Sequence, residues 1–163
     1  MPNLNKRIYP TFKDYLKEEY EGPFMATDII ARYKRGVVLI ERKNPPFGIA
    51  LPGGIAERMQ LHNNAKKEGL EETGLVVRLD DPDRPLCVLS RVHQDPRAFI
   101  ATAVYTGEGF GELKPRPEED AKNARVYTEE ELADLVKDKS AWAFPHHRKA
   151  IQIYLNWRKN ESR

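Results

Sequence analysis

The sequence predicts an α/β fold with a mixed β-sheet, contained in one domain. The chain has 163 residues, of which 40% are hydrophobic, which suits one domain with a substantial core. Runs rich in β-branched residues alternate with segments of helical periodicity, without internal repeats or low-complexity stretches. A turn joins two strand candidates directly, whereas helices separate others, so both antiparallel and parallel pairs are expected. We therefore predict a single domain over residues 1–163, with residues 1–23 as an N-terminal extension.

The first half of the chain is predicted to contain a β-hairpin, a shaped loop and a helix. Two β-branched runs, FMATDIIARY and GVVLIERK, are joined by the turn-like segment KRG. The following NPPFGIALPGG is too rich in proline and glycine to continue a helix or a central strand, which predicts a loop. A helix is then expected over residues 61–72, with Gly74 ending it in a left-handed conformation. A short amphipathic helix is also expected around residues 12–20.

The second half is predicted to add further strands and two helices. The strand candidates are LVVRL, PLCVLSRVH, AFIATAVYTG and NARVYT. Thr128 and Glu131 have the spacing of a capping box that opens a helix over EEELADLV. Apolar residues at helical spacing in PHHRKAIQIYLNWRKN predict the last helix. GEGFGE, residues 107–112, is expected to be a hairpin loop, because no helix follows it to make a phosphate-binding loop.

Composition excludes several classes of function. Lysine and arginine total 27 against 25 acidic residues, a net charge of +2, which does not favour binding to nucleic acid or to a membrane surface. Cys87 is the single cysteine, so an internal disulfide framework is excluded. No stretch has the apolar length of a membrane helix or the layout of a secretory signal. We therefore expect a soluble, cytoplasmic protein whose partner is a small molecule.

An acidic cluster in KKEGLEETGL is the clearest candidate for a site. Glu68, Glu71 and Glu72 are spaced at i, i+3 and i+4, which places them on one helix face. Charge pattern alone favours a solvated acidic surface, because glutamates are common on exposed helices and the repulsion costs little there. The alternative is a divalent-metal site, since clustered carboxylates suit Mg²⁺ or Mn²⁺.

The context of the cluster resembles the Nudix hydrolase family. The family signature is Gly, five residues, Glu, seven residues, then Arg-Glu-U-x-Glu-Glu-x-Gly-U, where U is a bulky aliphatic residue. LPGG precedes the predicted helix by one loop and EETGL closes it. Read from the C-terminal end, the signature positions are filled by Leu75, Gly74, Glu72, Glu71, Glu68 and Lys67. The resemblance implies that the three glutamates bind Mg²⁺ (or Mn²⁺) and that a carbonyl of the glycine pair, Gly53 or Gly54, adds a ligand.

This box departs from the signature at three places. The segment between the glycines and Lys67 is one residue shorter than the signature requires, so Met59 or Gln60 falls where the isolated glutamate should stand. Glu57 lies close by and is a candidate replacement if the loop takes another path. Lys67 replaces arginine and lacks its bidentate geometry. Gly69 replaces the first U position, at a cost of about 1 kcal/mol in helix propensity relative to alanine.

Segments outside the box resemble the ADP-ribose pyrophosphatase branch of the family, over most of residues 27–155. They are ERKNPPFGIALPGG, QDPRAFIATAVYTG, EEDAKNARVYTEEEL and FPHHRKAI. The resemblance implies a Nudix-type α/β/α sandwich with a mixed β-sheet. It also implies metal-dependent hydrolysis of the pyrophosphate bond of a nucleoside diphosphate derivative, such as ADP-ribose or a nucleoside diphosphate sugar. The products would be a nucleoside monophosphate and a sugar phosphate.

The resemblance assigns expected roles to particular residues. The predicted metal ligands are Gly53, Glu68, Glu71 and Glu72. The predicted catalytic residues are Glu71, Glu72 and Asp120, with Glu118 and Glu119 as alternatives to Asp120 for the general base. Arg42 and Arg97 are predicted to contact substrate phosphates, although both could equally be surface arginines.

Two other functions stay open at this stage. One is a hydrolase of nucleoside triphosphates or dinucleoside polyphosphates, and the other is a catalytically degenerate Nudix protein that binds a ligand without cleaving it. Homodimers are common in the resembled branch, so a homodimer is possible. His146 and His147 are interpreted as a surface feature at a helix start, because they lack the spacing of a zinc site.

Overall fold

The chain folds as a mixed sheet flanked by helices, in a computed structural model that describes residues 11–116, 119 and 121–163. Residues 1–10 of the predicted extension, Glu118 and Asp120 lie outside the described residues. The elements in chain order are α1 (Phe12–Glu18), β1 (Phe24–Tyr33), β2 (Gly36–Arg42), β3 (Gly48–Ala50), β4 (Gly53–Ile55), α2 (Leu61–Thr73), β5 (Val76–Leu79), β6 (Cys87–Leu89), β7 (Ile100–Phe110), β8 (Ala121–Tyr127), α3 (Glu129–Leu135) and α4 (Pro145–Glu161).

The sheet has parallel and antiparallel pairs, as predicted. Its central path is β3-β2-β1-β7-β5, with β4 paired to β1, β6 to β7 and β8 to β2. β1 and β7 are parallel, from Phe24↔Ile100 to Arg32↔Glu108, and the other pairs are antiparallel. A parallel pair needs a long crossover, and the chain between β1 and β7 includes α2.

Alternate residues of β1 face two different helical layers. Ile29 is fully buried, and a Cβ built on Gly69 of α2 would lie 3.3 Å from its Cγ2 atom. Ile30 is also fully buried but belongs to the cluster that contains Leu132 of α3 and Ile151 of α4. Successive side chains of a strand point to opposite faces. α2 therefore packs on one face of the sheet and α3 with α4 on the other, which is an α/β/α sandwich.

β1 changes its partner part-way along, and this change creates room for a site. Next to the turn, β1 pairs with β2 at Arg32↔Val37 and Tyr33↔Gly36. Further from the turn it pairs with β4, from Ala26↔Ile55 to Asp28↔Gly53. The proline- and glycine-rich segment was predicted as a loop, and the structure corrects this by placing the short strands β3 and β4 within it. The glycine pair is thereby fixed against the centre of the sheet.

The structure confirms the predicted ends of two helices and overturns one predicted loop. Gly74 ends α2 with φ of 80°, and Thr128 and Glu131 form both hydrogen bonds of the capping box. The hairpin loop predicted for GEGFGE is wrong, because β7 continues through Phe110 and pairs with β5. A Cβ on Gly107 would lie 2.5 Å from the carbonyl oxygen of Arg78. Gly107 therefore permits close strand approach and does not form a turn.

Replacement of Gly74 by alanine should destabilise the protein by about 1–2 kcal/mol, because a left-handed conformation is costly for a residue with a Cβ. The Cβ would also lie 2.8 Å from backbone atoms of Lys114. Asparagine tolerates the left-handed region better, so Gly74→Asn should lose less stability than Gly74→Ala. Urea unfolding of the three proteins measures both differences. An alanine variant that unfolds at the wild-type midpoint would contradict the assignment.

Candidate active site

Two of the three glutamates of α2 line a cavity of about 230 Å³ where α2, the glycine pair, β1 and the start of α4 meet. Polar and charged side chains dominate its walls. The charged and histidine side chains that line it are Asp28, Arg42, Glu68, Glu72, Asp95, Arg97, Glu119, His146 and His147. These residues come from segments far apart in sequence, so the fold and not a single motif builds the cavity.

Glu72 and Glu68 are the two glutamates of α2 that face the cavity, and both lie against the glycine pair. The Gly53 amide donates a 2.8 Å hydrogen bond to Glu72 Oε2. A Cβ on Gly54 would lie 2.8 Å from Glu68 Oε1, so glycine there leaves room for the carboxylate. Burial raises the pKa of Glu72 to about 8, and the charge of Glu68 adds to this rise. Burial also raises the pKa of Glu68 to about 7, although the neighbouring Lys67 acts in the opposite direction. Both side chains therefore hold a negative charge less readily than an exposed glutamate does.

The register of β4 points another oxygen toward Glu72. The Ile29 amide donates to the Pro52 carbonyl at 2.9 Å, which makes Asp28 and Gly53 a non-hydrogen-bonded pair of the β1–β4 ladder. The amide and carbonyl of Gly53 therefore both point away from β1. Since the amide reaches Glu72, the carbonyl lies on the same side of the strand. Two carboxylates and one backbone carbonyl are hard oxygen donors, which fit a divalent cation such as Mg²⁺ or Mn²⁺.

Glu71 occupies a different position from its two neighbours. It does not line the cavity; its Oε2 atom lies 3.0 Å from Lys67 Nζ, and its Oε1 atom lies 3.9 Å from Arg116. The structure thus brings Glu68, Glu72 and Gly53 together, with Glu71 at the edge of the group.

In the shortened box, Glu57 forms an ion pair with Lys67. Lys67 Nζ lies 2.9 Å from Glu57 Oε1, and the hydrogen bonds to Glu57 and Glu71 raise the pKa of Lys67. Met59 and Gln60, which fall at the position of the missing glutamate, are exposed. Glu57 therefore supplies the carboxylate next to Lys67, as the alternative path of the loop requires.

Arg42 and Arg97 flank one aromatic ring at the mouth of the cavity. Each guanidinium carbon lies 5.2 Å from the centroid of the Phe144 ring, a cation–π distance. Arg97 also forms a two-pronged pair with Asp95, with distances of 2.9 and 2.7 Å. Arg42 donates through Nε to the Pro46 carbonyl at 3.0 Å. Both arginines that were predicted to contact phosphate thus line the cavity, and these contacts orient their guanidinium planes.

The prediction for the histidine pair is wrong, because both rings are buried. His146 and His147 are 6% and 4% exposed, since Phe144, 3% exposed, anchors the first turn of α4 in the core. His147 Nε2 lies 2.9 Å from Asp28 Oδ2, and the ligand atoms of Asp28 and the two histidines all lie within 4.8 Å of one another. Burial, with the neighbouring His147, lowers the pKa of His146 to about 4. Sequence reasoning missed Asp28, although an aspartate inside the apolar run ATDIIA was a detectable signal.

No protein-family model matches the chain, but a curated relative and several solved structures are similar to it. It is 34% identical over 159 residues to an ADP-ribose pyrophosphatase of Methanocaldococcus jannaschii, covering 95% of this chain and 83% of the relative. The fold is similar to a Nudix hydrolase from Nitrosomonas europaea, with TM-score 0.66, 21% identity, and coverage of 86% of this chain and 74% of that one. It is also similar to the Nudix domain of Shewanella oneidensis NrtR complexed with ADP-ribose, with TM-score 0.66, 19% identity, and coverage of 88% and 96%.

The chain belongs to the Nudix hydrolase family. It is an enzyme of this class, and its Nudix box runs from β4 to Leu75, the second residue after α2. Among the described residues, no helix of this Nudix hydrolase combines the length and apolar character needed to cross a membrane.

Replacement of Glu72 by glutamine should stabilise the metal-free protein at high pH. The folded-state pKa, about 8, lies above the ordinary value of 4.5. The stability that Glu72 contributes is therefore complete below pH 4.5 and is lost as pH rises to about 8. Glutamine does not titrate, so the variant should gain on the order of 2 kcal/mol over wild type at pH 9, and less at pH 5.

Denaturant unfolding in EDTA at pH 5 and pH 9 measures this difference. Glu161→Gln is the matched control, because Glu161 is an exposed glutamate at the end of α4. The control should change stability by the same small amount at both pH values. A Glu72→Gln protein that is less stable than wild type at pH 9 would contradict the conclusion that the charged form of Glu72 destabilises the metal-free fold.

Replacement of Glu57 by glutamine should weaken Mn²⁺ binding roughly tenfold. Without Glu57, the ammonium of Lys67 is expected to turn toward Glu68, which lies 3.9 Å away, and to compete with a cation there. Gln60→Ala, at the position of the missing signature glutamate, should leave the affinity unchanged. Titration of Mn²⁺ followed by electron paramagnetic resonance compares the variants. Equal losses in both variants would show that Glu57 has no special role.

Proposed function

We propose that this protein uses Mg²⁺ (or Mn²⁺) to hydrolyse the pyrophosphate bond of ADP-ribose or a related nucleoside diphosphate sugar. The products would be a nucleoside monophosphate and a sugar phosphate. The observation that carries the proposal is the buried Glu72 carboxylate and the partly buried Glu68 carboxylate, held against the glycine pair in a cavity that also contains Arg42 and Arg97. The 34% identity to an ADP-ribose pyrophosphatase supports this choice of substrate.

The proposed cation would be held by Glu68, Glu72 and the carbonyl of Gly53, with Glu71 near the edge of the site. When bound, a divalent cation neutralises diphosphate oxygens and lowers the pKa of a water molecule. The protein's own contribution is to place these oxygens where burial disfavours the charge of Glu72 and Glu68 repels it until a cation binds. A bound cation would remove this repulsion between Glu68 and Glu72, whereas Lys67 already offsets the charge of Glu71.

Arg42 and Arg97 are proposed to bind the diphosphate oxygens. A guanidinium forms paired hydrogen bonds to phosphate, and its charge favours a negatively charged leaving group. Asp95 fixes the plane of Arg97 through two short contacts, so little side-chain entropy is lost when a phosphate binds. The Phe144 ring between the two arginines limits their movement further.

A carboxylate of the loop before β8 is proposed to take the proton of the attacking water. Glu119 lines the cavity, and its charge adds to the effect of burial in raising the pKa of Glu68. Asp120 follows it in the chain and stays a candidate general base. The proton passes from water to this carboxylate as the water oxygen bonds to phosphorus and the bridging oxygen leaves with the other phosphate.

The contact between Lys67 and Glu57 favours turnover over binding alone. A ligand-binding protein without activity needs no organised box, whereas here Lys67 still connects Glu57 with Glu71, at 2.9 and 3.0 Å. The shortened loop is therefore compatible with an active enzyme.

The first experiment is product analysis by mass spectrometry after incubation with ADP-ribose and Mg²⁺ in ¹⁸O-labelled water. We expect AMP and ribose 5-phosphate, with the label in one of the two products, which identifies the attacked phosphorus. EDTA should abolish the reaction, and Glu72→Gln should slow it by about 100-fold or more. Glu161→Gln is the matched control and should retain the wild-type rate.

A panel of nucleotide sugars, nucleoside triphosphates and dinucleoside polyphosphates separates the alternatives. Faster cleavage of a triphosphate, or of a dinucleoside polyphosphate, than of ADP-ribose would assign the alternative hydrolase function. Binding of ADP-ribose without turnover of any compound, with Mg²⁺ or Mn²⁺, would overturn the proposal.

A further inference from the structure

Three consecutive residues before and within β4 are each held by a different element. The Leu51 amide donates to His147 Nδ1 at 2.9 Å, the Pro52 carbonyl accepts from the Ile29 amide at 2.9 Å, and the Gly53 amide donates to Glu72 at 2.8 Å. Pro52 has no amide hydrogen, so Leu51 is the last donor before Gly53. The contact to His147 connects the glycine pair to α4.

His147 bridges this segment to β1. Its Nδ1 atom accepts from Leu51, and its Nε2 atom lies 2.9 Å from Asp28 Oδ2. The ring is packed between neighbours, with its centroid 4.8 Å from that of Phe144 and 4.5 Å from that of His146. Asp28 and His147 are both 5% or less exposed. An imidazole held on several sides cannot change rotamer without disturbing the core.

The contacts of His147 decide where its hydrogen lies. Because Nδ1 accepts from the Leu51 amide, the hydrogen of the neutral ring is on Nε2, facing Asp28. The distance from His147 Nε2 to Asp28 Oδ2 is short, but the N–H is not aligned for a hydrogen bond. Asp28 Oδ2 accordingly has no hydrogen-bond partner among the described residues. One neutral imidazole thus accepts at one end and faces a carboxylate with its N–H at the other.

The same assignment argues against a metal ion held by Asp28, His146 and His147, despite their compact arrangement. A metal ligand needs a lone pair, and the Nε2 lone pair of His147 is absent while the hydrogen is there. Moving that hydrogen to Nδ1 would place it against the Leu51 amide hydrogen. The group is therefore suited to holding backbone in place.

We propose that His147 is a positioning residue that fixes the Leu51–Pro52–Gly53 backbone, so that the Gly53 carbonyl faces the cation site formed with Glu68 and Glu72. The inference rests on the proposed function, because it assumes that the Gly53 carbonyl is a metal ligand. His147 touches neither substrate nor metal in this role. It acts indirectly, because peptide units separate the anchored Leu51 amide from the Gly53 carbonyl. Without this anchor, the start of β4 would be free to move.

Two substitutions test the contacts of the two imidazole nitrogens separately. The side-chain oxygen of His147→Asn can replace Nδ1 as the acceptor for Leu51, although asparagine is too short to reach Asp28. His147→Gln places its amide near the former Nε2 atom and leaves Leu51 without an acceptor. We expect the Mn²⁺ dissociation constant to rise about tenfold or more in His147→Gln and by less than threefold in His147→Asn. kcat for ADP-ribose should fall in parallel in His147→Gln.

Amide hydrogen exchange provides a readout that does not depend on metal. In metal-free protein, the Leu51 and Gly53 amides should lose protection in His147→Gln and keep it in His147→Asn. Leu132→Ala is the control for general destabilisation, because Leu132 is fully buried in α3, away from the cavity. It should lower the melting temperature without changing Mn²⁺ affinity at 20 °C. His93→Asn, at an exposed histidine, controls for the change of residue type.

The outcomes separate this inference from the proposed function. Unchanged exchange at Leu51 and Gly53 in His147→Gln would overturn the positioning role. Equal losses of Mn²⁺ affinity in His147→Gln and Leu132→Ala would overturn it as well, since both would reflect stability alone. If wild type binds Mn²⁺ without any dependence on Glu72, the proposed metal site fails, and with it the inference. Lost protection together with weaker Mn²⁺ binding in His147→Gln alone supports it.

Discussion

The burial of the Glu72 carboxylate, with Glu68 beside it, is the constraint on which this site depends. Glu72 is 3% exposed, and the one backbone amide that reaches it, from Gly53, does not offset the loss of water around the charge. A protein that only needed a stable fold would gain by placing an apolar residue there. The pair is maintained because α2 packs tightly on β1, where Gly69 allows close approach to Ile29. Stability elsewhere in the sandwich compensates for an arrangement that is favourable only with a cation.

The topology explains how one cavity collects residues from so many segments. β1 pairs with β2 near the turn and with β4 beyond it, so β4 reaches the centre of the sheet without being a long strand. The parallel β1–β7 pair brings the loop before β7, which carries Arg97, to the same end as the start of α4. The segments that carry these cavity residues therefore meet beside β1. Loop variation in this region can alter the substrate without disturbing the two cores.

Local sequence rules predicted most of the fold and part of the site. The hairpin, the glycine that ends α2 and the capping box of α3 depend on neighbouring residues, and all three were correct. The errors concern contacts between distant segments. Gly107 looked like a turn residue, but its role is set by the approach of Arg78 on another strand. His147 looked exposed at a helix start, and only the tertiary packing of Phe144 shows that this helix begins in the core.

The departures in the Nudix box are linked to one another by the geometry of Lys67. A guanidinium is planar and pairs best with one carboxylate through two parallel bonds, whereas an ammonium directs three hydrogens to different sides. Lys67 has three carboxylates around it, at 2.9 Å from Glu57, 3.0 Å from Glu71 and 3.9 Å from Glu68. The shorter loop places Glu57 where the ammonium pairs with it and with Glu71 at the same time. Loss of one residue, the shift of the glutamate and the change from arginine to lysine are therefore best understood as one coordinated change. Glu57 and Glu71 hold the Lys67 ammonium closer to themselves than to Glu68, so the ammonium competes less with a cation for Glu68.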